Sequence, residues 1–263
     1  MSKKINNWKD FSLVLSGGGA LGISHLGILK NLEEKNLIPK EIIGTSMGGI
    51  IGACFSIGLE EHAIFKIIEE FSSITKWIKF SMNGNSIIKS DKIEKIFKNI
   101  FDERKMKDTN IPLKLICTNL LNGNERILDS KDDIYIKDAL LATMAIPGIF
   151  EEKLIDNIPY GDGFLTNNLP INHAFYKDIL AIDVLGNRSF EDELPNNFFK
   201  TKNVLEMFER SMRILIFNQA NLNLRNIINK NIIIITPNVT NYKTFHFNKF
   251  KELRNLGLNL LPI

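Results

Sequence analysis

The chain has 263 residues, of which 44% are hydrophobic and 24% charged, and a formal net charge of +3. That is enough chain to bury a sizeable core. The charge is too small, and the lysines too dispersed, to point to nucleic acid. Two cysteines, Cys54 and Cys117, with no C-x-x-C pair, argue against a zinc ribbon or a disulfide scaffold and read as buried free thiols. The N-terminal "MSKKINNWKD" is basic but has no apolar h-region, and no run reaches the ~18 apolar residues of a membrane span. The expected address is therefore cytoplasmic.

The first predicted strand, "FSLVL" at Phe11–Leu15, runs into the glycine cluster "SGGGALG". A helix follows, with Leu26, Leu29 and Leu32 on one face and Lys30, Glu33 and Glu34 elsewhere. Gly17, Gly19 and Gly22 satisfy G-x-G-x-x-G, the turn that cradles a dinucleotide pyrophosphate. The same architecture can aim backbone N–H groups at the oxyanion of an ester under attack.

A second strand, "EIIG" at Glu41–Gly44, enters "GTSMGG". Gly44-x-Ser46-x-Gly48 has the form of a nucleophile elbow: a strained strand-to-helix turn exposes the serine hydroxyl, and small neighbours let the two backbones approach. Gly49 and Gly52 continue the small face. Ten of the seventeen glycines fall between Gly17 and Gly58, concentrated in these two turns.

Farther on, "ITKWIKFSM" (Ile74–Met82) interleaves Trp77, Ile78, Phe80 and Met82 with Lys76 and Lys79. It fits a lid or a membrane-interface contact, and equally an amphipathic helix packed on the core. "DKIEKIFKNIF" places Ile93, Ile96, Phe97 and Ile100 on one helix face, and "LKLICTN" (Leu113–Asn119) reads as a buried strand. "YGDGFLTNNLP" (Tyr160–Pro170) sets Asp162 between two glycines in a turn-rich loop. Partial desolvation there would raise a carboxylate toward the pKa of a working general base, although D-G alone is also a common surface turn. Strands are expected at Asp178–Leu185 and Ile232–Thr236. Between them lies a helix with Leu205, Phe208, Met212 and Leu215 on its apolar face. Phe198 and Phe199, after the acidic "EDELP", carry the same two readings as Ile74–Met82. No repeat or linker divides the chain. The fold expected is a single α/β domain, residues 1–263, with a central, mostly parallel sheet sandwiched by helices. Its core spans about 11–185, and a helix and strand region at about 200–263 packs on it.

A serine nucleophile needs a base, and the histidines available are His25, His62, His173 and His246. None shows metal-ligand spacing.

Taken together, these motifs resemble the patatin-like phospholipase family, particularly its small bacterial members. "SGGGALG" resembles the family's oxyanion loop, "GTSMGG" its nucleophile motif, and "DGFLTNNLP" its D-G-[GA] motif with the trailing N-x-P. "ATMAIPGIFEE" (Ala142–Glu152) resembles the segment before the aspartate, and "IPLKLICTNLLNGNERIL" the central strand pair. The resemblance implies a patatin-like fold and a Ser–Asp dyad without histidine. Ser46 would be the nucleophile, Asp162 its activating partner, and the N–H groups of Gly17, Gly18 and Gly19 the oxyanion hole. Gly44, Gly48 and Gly163 would support the turns. It implies hydrolysis of acyl lipids of the phospholipase A or lysophospholipase type through an acyl-enzyme; a serine–carboxylate dyad needs no cofactor or metal, and the Ile74–Met82 pattern allows a transient contact with a membrane surface. Two positions depart from the family pattern: Leu21 stands where Arg or Lys is usual, and Phe164 where a small residue is usual.

Three other readings remain at this point. A dinucleotide site would want an acidic residue ending the second strand, but Glu41 begins it. An α/β-hydrolase triad could run Ser46, Asp162 and then His173 or His246, although only forty-five residues precede Ser46. A regulatory or binding protein could keep the fold with weak catalysis. The sequence leaves the head group, acyl position, chain length and oligomeric state open.

Overall fold

The computed structural model describes residues 4–5, 8–75, 91–189 and 201–262. Five apolar runs make the parallel part of the sheet; the inner ones are buried on both faces, while the last, at the sheet edge, is half-exposed. In chain order the strands are β1 (Phe11–Leu15), β2 (Glu41–Thr45), β3 (Leu113–Asn119), β4 (Glu125–Leu128), β5 (Lys153–Ile155), β6 (Ile158–Asp162), β7 (Asp178–Ile182) and β8 (Asn231–Ile235). The hydrogen-bonded path is β5-β6-β3-β2-β1-β7-β8, with β4 also paired to β3. β3, β2, β1, β7 and β8 run parallel; β4, β5 and β6 are joined antiparallel.

Side-chain alternation splits the core between the two faces. Leu13, Leu15 and Ile42 face one layer, while Val14, Ile43, Ile116, Ile179 and Ala181 face the other. The first layer is covered by α1 (His25–Glu34), α2 (Met47–Ser56), α3 (Glu61–Thr75), α4 (Asp91–Phe101) and α5 (Ile136–Thr143). In α4, the expected face is the buried one: Ile93, Ile96 and Phe97 enter the core, each worth about 1.5–3 kcal/mol of burial. The second layer is covered by α6 (Thr201–Arg225), through Ala220, and by the loop carrying Leu169 and Ile171. The short α7 (Phe250–Leu256) packs against the start of α1. This is the α/β fold expected, a mostly parallel sheet between helices.

Two expectations are adjusted. The strand read as Asp178–Leu185 ends at Ile182, because Asp183 turns the chain by accepting the Leu185 N–H at 3.1 Å. The apolar face expected on α6 points outward: Phe208 is 64% and Leu215 62% exposed, while Arg213, Ile216 and Ala220 face inward. The inward side of this helix is held by polar bonds, so hydrophobic period alone picks the wrong face. Ile74–Met82, apart from the last backbone turn of α3, and the pair Phe198–Phe199 lie outside the described residues.

Cys54 and Cys117 are buried and free, as expected, and burial pushes each thiol up to about 12. Among the described residues, no helix is long and apolar enough to cross a membrane.

Candidate active site

The strand register brings Ser46 and Asp162 together. β2 and β4 pair with opposite edges of β3, since Ile116 faces Thr45 on one side and Ile127 on the other. One residue on, Cys117 faces Arg126 of β4 and Asp162 of β6. β6 therefore occupies the edge that β2 has just vacated. The last residue of β6 meets the end of β2, and the residue after that end is Ser46.

Ser46 has φ 54° and ψ −124°, a positive-φ conformation that a serine adopts only when its surroundings enforce it. The enforcement is visible on both sides. The Ser46 N–H donates to Thr143 Oγ1 at 3.0 Å, and Thr143 in turn donates to the Ile116 carbonyl. A Cβ placed on Gly44 would lie 2.6 Å from Gly49 Cα, and one on Gly48 would lie 2.5 Å from the Ser16 carbonyl oxygen. Helix α2 can only start here because both positions lack side chains. Gly163 is equally constrained, its missing Cβ facing the Ile116 carbonyl.

Asp162 is fully buried. Its N–H donates to the Ala145 carbonyl at 2.8 Å, and its own carbonyl accepts from Thr118 Oγ1 at 3.0 Å. The side chain caps the turn that follows: Oδ1 accepts the Phe164 N–H at 2.9 Å. Burial pushes the carboxyl up to about 7, opposed by the nearby Ser46 hydroxyl and by the Phe164 N–H. Ser46 is thus close enough to bear on the acidity of Asp162, while Oδ2 closes no full hydrogen bond and is left buried and open.

The glycine loop closes the third side. A Cβ on Gly17 would lie 3.1 Å from Ser46 Cβ. The Gly17 N–H, however, donates to the Asn168 carbonyl at 3.2 Å. Of the three amides expected to face an oxyanion, Gly17 N–H is thus engaged within the protein, and among the described residues no hydrogen bond engages Gly18 or Gly19 N–H. The Gly18 carbonyl accepts from Leu21 N at 3.1 Å as a 3₁₀ turn, Gly19–Ser24, begins. In a trans peptide the N–H opposes the C=O. The Gly19 N–H therefore points back out of the turn, where the positive end of the helical dipole also lies.

Three of the four histidines are engaged elsewhere. His25 is buried and pushed down to about 4, so it is neutral, and its Nε2 donates to the Ser16 carbonyl at 2.9 Å. His62 is exposed on α3. His173 pairs with Glu125, and His246 Nδ1 accepts the Lys243 N–H at 3.1 Å. The Asp162 carboxyl owes its acidity to burial, Ser46 and Phe164, with no histidine among the causes. Glu41 is occupied at the far end of the sheet by Ser12, Lys114 and the Phe175 N–H, which removes it from any ribose. Leu21 is buried in the core, and Phe164 packs against it. Among the described residues, no three His, Cys, Asp or Glu side chains are placed to hold a metal ion.

Several supporting residues are not evident from local sequence. Thr45 Oγ1 donates to the Asn167 carbonyl at 2.9 Å, tying the nucleophile strand to the Asp162 loop. Gln219 of α6 accepts the Asn168 N–H at 2.9 Å and donates to the Leu165 carbonyl at 3.3 Å. The Thr244 carbonyl accepts the Ala20 N–H at 2.8 Å, latching the glycine loop to a segment more than two hundred residues away.

A family model for the patatin-like phospholipases matches residues 13–175. The chain is similar to Lysophospholipase NTE1 of Kluyveromyces lactis, at 27% identity over 93% of this chain and 18% of the relative. It is also similar to Lysophospholipase NTE1 of Candida glabrata, at 26% identity over 97% of this chain and 16% of the relative. The chain thus spans less than a fifth of the length of these curated relatives. Among solved structures, VipD from Legionella pneumophila shares the fold with a TM-score of 0.50 and 14% identity, covering 94% of this chain and 66% of that one.

Proposed function

The chain belongs to the patatin-like phospholipase family, and on that premise we propose that it is a metal-independent acyl hydrolase of phospholipids or lysophospholipids, working through a Ser46–Asp162 dyad. The family and the lysophospholipase relatives support a lipid hydrolase. The observation that carries the finer reading is the register at β3, which abuts a strained, positive-φ serine and a buried carboxylate raised to about 7.

In the proposed reaction, Asp162 accepts the Ser46 proton as Oγ attacks the ester carbonyl. Gly18 and Gly19 N–H groups hold the tetrahedral oxyanion, each donor worth roughly 3 kcal/mol. The leaving alcohol departs with the proton from Asp162. Water, deprotonated by the same carboxylate, then releases the fatty acid and regenerates Ser46. The test is hydrolysis of lysophosphatidylcholine and p-nitrophenyl butyrate with chelator present, together with labelling by a serine-directed fluorophosphonate. The reading expects turnover and one label per chain, on Ser46. Folded protein that neither turns over nor labels would instead be a binding or regulatory member of the family.

The lipid surface reaches the site, in this reading, along α6. Phe208, Leu215 and Leu222 are 64%, 62% and 58% exposed and recur every seven residues, so they form one stripe. Gln219 lies on the same side and bonds the Leu165 carbonyl, which places the stripe beside the loop that carries Asp162. Phe208→Ser/Leu215→Ser/Leu222→Ser should weaken co-sedimentation with phosphatidylcholine vesicles by about 10-fold or more, from lost apolar burial. Hydrolysis of monomeric p-nitrophenyl butyrate should stay within about twofold, and equal loss on both substrates would count against the stripe.

A further inference from the structure

We propose that Asn168 is a positioning residue that aims the Gly18 N–H at the oxyanion; the inference rests on the Ser46–Asp162 reading above. Asn168 is 1% exposed and bonds Gly17 in both directions. Its carbonyl accepts the Gly17 N–H at 3.2 Å, and its side-chain Nδ2 donates to the Gly17 carbonyl at 3.3 Å. The Gly17 carbonyl and the Gly18 N–H belong to one trans peptide plane and point opposite ways. Holding that carbonyl toward Asn168 therefore turns the Gly18 N–H away from it, free of any protein acceptor among the described residues.

The two donors of the oxyanion hole are thus aimed by different means. Gly19 is aimed by closure of its own 3₁₀ turn, through the Leu21 N–H on the Gly18 carbonyl. For Gly18 the aiming bond to the preceding carbonyl comes from Asn168, a side chain 151 residues away in sequence. The amide is directional. Nδ2 holds the Gly17 carbonyl while Oδ1 is buried without a partner, and the opposite orientation would set two oxygens against each other. Asn168 is itself fixed through its N–H on Gln219 Oε1 at 2.9 Å, so α6 backs the arrangement. A glycine at position 17 is part of the same device, since a Cβ there would lie 2.6 Å from Asn168 Oδ1.

The test compares wild type with Asn168→Ser, too short to reach Gly17, and Asn168→Asp, which exchanges the donor for an oxygen. Activity on p-nitrophenyl butyrate is normalised to active sites titrated with fluorophosphonate, which removes any loss due to unfolded protein. Both variants should lose about 30- to 100-fold in kcat, with KM within about twofold. Affinity for an alkylboronic acid, whose tetrahedral adduct on Ser46 places an oxygen in the hole, should fall in parallel. The ascending pH limb set by Asp162 should stay where it is in Asn168→Ser. If neither variant folds, Gln219→Met on the partly exposed side of α6 should lower kcat and boronate affinity together by about 5- to 10-fold. Wild-type turnover with kcat undiminished in these variants, or a change confined to KM, overturns the role of Asn168 alone. Absence of turnover in folded wild type overturns the Ser46–Asp162 reading, and this inference with it.

Discussion

Ser46→Ala should abolish hydrolysis of both lysophosphatidylcholine and p-nitrophenyl butyrate, lowering kcat/KM by about 10⁴- to 10⁶-fold. Without Oγ no acyl-enzyme can form, and fluorophosphonate labelling should vanish with it. The fold should persist, because the bonds that hold position 46 run through its backbone N–H to Thr143 and through Gly44 and Gly48. Alanine at φ 54° keeps the strain, so its melting temperature should stay near that of wild type. Ser46→Gly should be just as inactive yet more stable, since glycine relieves a conformation costing about 1–3 kcal/mol. An active Ser46→Ala protein would move the nucleophile elsewhere.

Asp162→Asn should separate catalysis from stability. The amide cannot accept the serine proton, and kcat should drop by about 10³- to 10⁴-fold. Stability should change in the opposite sense. Asp162 holds its proton up to about pH 7 in the fold, against an ordinary value of 3.8, so the folded chain binds the proton more tightly than the unfolded chain does. The stability this provides is complete below about pH 4 and is lost as pH rises toward and through 7. At neutral pH the ionised, buried carboxylate opposes folding, by an amount on the order of a few kcal/mol. Asparagine removes that opposition, so the variant should melt higher than wild type at pH 8 and show a flatter dependence between pH 4 and 8. Asp183, also buried and pushed up to about 6, will leave a residual slope of the same sign. Wild-type kcat/KM should rise through an apparent pKa near 7, since the base must be ionised. A variant that loses activity and melts lower at pH 8 would argue against an uncompensated carboxylate in the site.

How much of this could be read in advance depended on how local each feature is. Phe11–Leu15 and Leu113–Asn119 are continuous apolar runs, and their burial follows from that alone. β4, β5 and β6 are three to five residues long and carry Glu, Arg, Lys and Pro, so no period marks them. The apolar period of α6 points to the wrong face because its inward side works through Arg213 and Asn223, which apolar counting ignores. The three site motifs are turns, and turns announce themselves through glycine. Their mutual placement does not. Thr143 reaches Ser46 across 97 positions, Thr45 reaches Asn167 across 122, and Asn168 reaches Gly17 across 151. Asn168 lay in plain sight within the N-x-P of its motif, but its spacing to the glycine loop exists only in three dimensions.

The latch between Ala20 and Thr244 has a consequence for the time course of synthesis. Thr244 also accepts support from α6, its N–H and hydroxyl both donating to Glu209 at 2.8 and 2.7 Å. Beyond it, α7 lies so close to α1 that a Cβ on Gly257 would meet the Ser24 carbonyl, and Arg254 forks onto Glu61 at 2.6 and 2.9 Å. The glycine loop is made more than two hundred residues before the groups that fix it. A nascent chain can pair β1 with β2 early, but its glycine loop stays unlatched until residues 244–257 have emerged. The loop thus takes its final geometry in one step, when that segment docks against the start of α1.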